Sequence, residues 1–62
     1  MYKTTWMRAA GKVTIDTAEH STVEAAKHDA DARIAAYVET FGPIAVFVHD
    51  ENGTEIYCGV QG

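Results

Sequence analysis

The sequence predicts an α+β fold of ββαββ order: a four-stranded, mainly antiparallel sheet with one helix packed on one face, in a single domain over residues 1–62. Three observations carry that prediction. A segment of helical period lies between a capping signal and Gly42-Pro43. An Asn-Gly turn separates two apolar runs after it, and a Gly-bearing turn separates two strand-like runs before it. Strand order is left open by these signals.

The first hairpin joins Tyr2–Arg8 to Lys12–Thr17 through Ala9-Ala10-Gly11, with Gly11 as the left-handed bulge residue. That register sets Met7 opposite Val13 and Thr5 opposite Ile15 on the helix side. Trp6 then pairs with Thr14 on the far side, together with Tyr2, Thr4, Arg8 and Lys12. Ser21-Thr22-Val23-Glu24 reads as a capping box that opens the helix, the Ser hydroxyl and Glu carboxylate satisfying free amides. Gly42 can take a left-handed conformation and Pro43 cannot continue the ladder, so the helix stops there. Within it, Val23, Ala26, Ala30, Ile34, Tyr37, Val38 and Phe41 fall within about 60° of one line and form the core stripe. The alanines let the helix lie close to a sheet.

The second hairpin runs Ile44–His49, Asp50-Glu51-Asn52-Gly53, Thr54–Val60. A two-residue Asn-Gly loop would set Val48 opposite Tyr57 and scatter the aliphatic residues over both faces. A type I turn with Gly53 in the bulge position pairs Asp50 with Thr54 and Val48 with Ile56. It gathers Ile44, Val46, Val48, Ile56, Cys58 and Val60 on one face. A one-residue slip flips every side chain, so the cleaner segregation is the expected one.

These registers leave an aromatic surface on the side away from the helix: Tyr2, Trp6, Phe47 and Tyr57, with His49 and Glu55. A wet sheet face should alternate toward polar residues, and a contiguous exposed apolar patch marks an interaction surface. A second copy of the chain, a foreign protein and stacked nucleotides compete for it, in that order. A second candidate is the acidic helix edge of Glu24, His28, Asp31 and Glu39, which could take the place of nucleic-acid phosphates on a basic protein. Lys27–Asp31 and Asp29–Arg33 also have the spacing of i,i+4 pairs on a solvated face.

Composition limits the chemistry. Five Lys and Arg against nine Asp and Glu give a net charge of −4, which disfavours direct binding to phosphate backbones. Cys58 is the single cysteine; no intrachain disulfide can form, and no structural zinc set is present. On the predicted core face it would be a small apolar residue. His49 and Glu55, opposite one another, could act as base and orienting carboxylate, but a cross-strand pair is the simpler reading. No catalytic residue, metal or cofactor is expected. No apolar run approaches a membrane span, and a lone thiol without an apolar leader points to the cytoplasm.

The early hairpin, the helix start Thr22-Val23-Glu24-Ala25 and the pattern Val46-x-Val48-His49-Asp50-x-x-Gly53-x-x-Ile56 resemble small bacterial ββαββ domains of unassigned function. The hairpin–helix part also resembles HicB-type antitoxin domains, and size and acidity are similar to those of phage anti-CRISPR proteins. The residues and composition together give the expectation of a non-enzymatic protein–protein interaction module, dimeric or completed by a partner, and in its sharper form a phage-type or antitoxin-like inhibitor that covers a basic surface of a nucleic-acid-handling complex.

Overall fold

In the computed structural model, which describes all 62 residues, the helical stripe forms α1 (Val23–Phe41). Its cap lies one residue later than the capping box placed it. Thr22, in extended conformation, accepts the Ala25 amide on Oγ1 at 3.2 Å, while Glu24 stands in the first turn, where the helix dipole favours a carboxylate. At the other end Gly42 takes φ 84° and its amide donates to the Val38 carbonyl at 2.9 Å. The predicted stop holds.

Around the helix lie β1 (Tyr2–Arg8), β2 (Thr14–His20), β3 (Ile44–His49) and β4 (Glu55–Gln61). They form one sheet in the order β2-β1-β3-β4, each neighbouring pair antiparallel. The two hairpins therefore join side by side through β1 and β3, and β2 and β4 are the edges.

Both hairpins carry an extra residue, and those two residues decide the faces. In the second, the expected bulged turn forms. The Asp50 amide donates to the Thr54 carbonyl and the Gly53 amide to the Asp50 carbonyl, both at 3.0 Å, with Gly53 at φ 82°. Asp50 Oδ1 also accepts the Asn52 and Thr54 amides at 2.9 Å. Then His49 pairs with Glu55 but Val48 pairs with Tyr57, so Ile56 is inserted. A β-bulge of this kind leaves one residue unpaired and reverses the facing of the rest of the strand. Ile44, Val46 and Val48 face the helix as predicted, but Ile56, Cys58 and Val60 do not. Tyr57 and Gly59 take their place.

In the first hairpin the turn spans Ala9 to Lys12, with Gly11 at φ 83° and Lys12 at φ 52°, and the Arg8 amide donates to the Val13 carbonyl at 2.8 Å. Met7 pairs with Thr14 and Trp6 with Asp16, so Ile15 is the inserted residue. The side of β1 turned to the helix is Tyr2, Thr4 and Trp6, opposite to the expectation from Met7 and Thr5.

A donor–acceptor match explains why. The Trp6 indole Nε1 donates to the Ala30 carbonyl at 3.3 Å, and the Thr4 hydroxyl donates to the Ala26 carbonyl at 3.4 Å. Trp6, Thr4, Ala26 and Ala30 are all fully buried. The two alanines make room for the indole and leave the helix carbonyls within its reach, so buried polar atoms are paired. Ile34 completes the helix side of the core, with Tyr37 and Val38 partly buried against it. Phe41, expected in the stripe, is the last helical residue and is 41% exposed.

Candidate interaction face

Three of the four rings assigned to the uncovered face lie on the helix side. Trp6 is 0% exposed beneath α1 and meets Tyr37 edge-on at 5.5 Å between centroids. Tyr2 packs against the core from the same side of β1. Tyr57 packs there too; its hydroxyl donates to Asp31 Oδ1 at 2.7 Å and the Lys27 ammonium sits 5.5 Å from its ring centroid. The Asp31 bond, with burial second, raises the Tyr57 hydroxyl above its ordinary pKa.

Phe47 and His49 remain on the open face, their rings 6.4 Å apart. Glu55 is the register partner of His49 as expected, but no hydrogen bond joins the two side chains. With Trp6, Tyr2 and Tyr57 withdrawn, the aromatic platform shrinks to this pair.

The register dictates the rows that the open face presents instead. One cross-strand row is Thr17, Thr5, Phe47 and Cys58; the next is Thr14, Met7, Ala45 and Val60. Toward the other end Lys3 lies between Glu19 and His49. The apolar part is therefore the β3–β4 half, where Val60 is 74% and Ile56 38% exposed and Cys58 is an exposed thiol, not a core residue. A shallow depression of about 220 Å³ lies beside it, lined by Met7, Arg8, Ala9, Lys12, Ala45 and Phe47.

The two edges differ in kind. Along β2, Asp16 Oδ2 accepts from Arg33 Nη2 at 2.5 Å and from the Tyr37 hydroxyl at 2.7 Å. Arg33 reaches on to Asp29 at 3.1 Å, and Asp29 in turn meets His20 Nε2 at 2.9 Å. The guanidinium carbon stands 4.2 Å from the Trp6 ring centroid, a cation–π contact. Asp16 is held below the ordinary carboxylate range by the Tyr37 hydrogen bond, then by the Thr17 amide, with Arg33 adding to them. Burial works against the Arg33 charge, yet its bonds to Tyr37 and Asp29 leave it above its ordinary value; burial and the Asp16 bond raise Tyr37. Of this cluster the sequence showed only the Asp29–Arg33 spacing. Asp16 carried no signal, because its position depends on the Ile15 bulge.

Along β4, no residue from Ile56 to Gln61 is charged. On the outer helix surface Glu24, His28, Asp31 and Glu39 are exposed as expected. Lys27 turns toward Tyr57 rather than forming an ion pair with Asp31. No group of three or more His, Cys, Asp or Glu side chains converges to hold a metal ion, and no helix is long and apolar enough to cross a membrane. Comparison with protein-family models, curated proteins and solved structures finds no match to this chain.

Proposed function

We propose that the chain is a non-catalytic protein–protein interaction module that docks through the β4 edge and the apolar half-face beside it. The observation that carries this reading is the edge itself. β4 has β3 on one side and no strand on the other, and its residues from Ile56 to Gln61 include no charge and no proline. Edge strands ordinarily carry lysine, proline, inward charges or a β-bulge against unwanted pairing. In β4 the one such device is the bulge at Ile56, near its start. An edge that carries no lysine, proline or inward charge beyond it, next to exposed Ile56 and Val60, suits a polypeptide that adds a strand.

A photo-crosslinking residue at position 60 and another at position 17 test this reading, in purified protein and in lysate of the source cells. Crosslinks to polypeptide at 60 and none at 17 are expected. Crosslinks at 17 but not at 60 would overturn it.

The helix supports a second surface. Glu24, Asp31 and Glu39 are exposed with no Lys or Arg in an ion pair with them, which fits a basic partner that the module would occlude. Charge reversal at Glu24 and Glu39 should then weaken capture of that partner and leave crosslinking at position 60 unchanged.

A further inference from the structure

We infer that the partner of the β4 edge is a second copy of the chain, with the two β4 strands antiparallel about Cys58. This rests on the reading of β4 as the docking edge and names its occupant. Cys58 is the middle residue of Glu55–Gln61. A twofold axis through it sets Ile56 opposite Val60 of the second copy and Tyr57 opposite Gly59.

Each of those pairs is favourable for a separate reason. Ile56 and Val60, both exposed in one copy, cover Val60 and Ile56 of the other. Aliphatic cross-strand neighbours stabilise a sheet, and no like charges meet. On the helix side the Tyr57 ring lies across from a glycine, the pairing by which an aromatic covers the gap that a strand glycine leaves. A Cβ added to Gly59 would lie 3.6 Å from Val46 Cγ1, so the residue belongs to the helix side, as Tyr57 does.

The neighbouring registers lose these matches. A continuous sheet with both helices on one side requires the axis to pass through a residue, not between two of unlike facing. Centred on Tyr57, the strands set the two tyrosines against each other and carry Val60 past the end of its partner. Centred on Gly59, they leave Ile56 without a neighbour. Only the Cys58 axis gives Ile56, Tyr57 and Val60 a partner at once. The product is an eight-stranded sheet with the apolar half-faces of the two copies merged into one strip. The opposite edges, each with its Asp16–Arg33 cluster, form the outer rims.

Sedimentation equilibrium and disulfide trapping test the inference together. The expected mass is twice the 6.7 kDa of one chain. Oxidised glutathione, which takes up the two electrons and two protons released by the thiols, should trap a Cys58–Cys58 dimer. In a Cys58→Ser background, Ile56→Cys combined with Val60→Cys should crosslink and either change alone should not. Val60→Lys should weaken self-association at least tenfold, with the far-UV circular dichroism of the wild type retained.

A single-chain mass up to millimolar concentration would overturn the self-pairing. So would a Cys58→Ser, Ile56→Cys chain that crosslinks to itself as readily as the double-cysteine chain. A photo-crosslink from position 60 to a different polypeptide would reject the second copy and leave the docking edge standing. Crosslinks at position 17 alone would reject both.

Discussion

The two edges of this sheet begin alike and end differently. β2 and β4 are both seven residues long, both outermost, and each is interrupted by one inserted residue. In β2 the insertion at Ile15 brings Asp16 round to Arg33 and Tyr37, so the edge is tied to the helix by charge-assisted bonds. In β4 the insertion at Ile56 turns Tyr57 inward and sends Cys58 and Val60 outward. The same device anchors one edge and leaves the other apolar and unpaired. The effect of a bulge depends on the residues that come after it.

The largest effect should come from Trp6→Ala, which removes the ring shared by the core and the β2 anchor. Loss of a buried aromatic typically costs about 3–5 kcal/mol, much of what a domain this small can possess. Urea denaturation should show its midpoint collapse; a shift under about 1 kcal/mol, the typical cost of an ordinary substitution, would mean the indole is not the keystone of that side.

Arg33→Met should come next. It leaves Asp16 and Asp29 without their cation, and charged hydrogen bonds of this kind, discounted for partial exposure, contribute roughly 1–2 kcal/mol. Hydrogen exchange should quicken in β2 and stay unchanged in β4; uniform loosening would show that the edges are not independent.

Acid should act on the same edge. A carboxylate held low in the fold contributes stability that is present above its unfolded value and is lost as pH falls through its folded value. Asp16 lies low chiefly through Tyr37, so wild-type stability should fall below about pH 4. Asp16→Asn should be less stable at neutral pH and flatter in the same acid range. An unchanged acid limb would show that Asp16 does not anchor this edge.

The smallest effect should be that of Tyr57→Phe, which deletes one exposed bond to Asp31 and should cost about 0.5–1 kcal/mol. Chemical denaturation of a Val60→Lys chain, monomeric by design, is the proper background for it.

Much of the fold was legible because its signals are local. Gly42-Pro43 ended the helix, Asp50 to Gly53 formed the turn read from Asn-Gly, and the alternation of β3 held throughout. The site was not legible to the same degree. The Ile15 and Ile56 insertions have no local signature. Each is stabilised by what it allows across layers, Asp16 reaching Arg33 in one case and Tyr57 reaching Asp31 in the other. Faces were read by gathering aliphatic residues together, which put Cys58 and Val60 inside and Trp6 outside. The protein instead matched donors to acceptors: Trp6 and Thr4 went in because two alanine carbonyls were there to receive them. Phe47 and His49 were placed correctly since β3 contains no inserted residue and its alternation was read with the aliphatic residues toward the helix.

An isotope-filtered nuclear Overhauser experiment on a one-to-one mixture of labelled and unlabelled chain reaches the β4 edge most directly. Contacts between the Ile56 methyls of one molecule and the Val60 methyls of another are expected. Spectra in which every Ile56 and Val60 contact arises within a single molecule, even in millimolar solution, would contradict it.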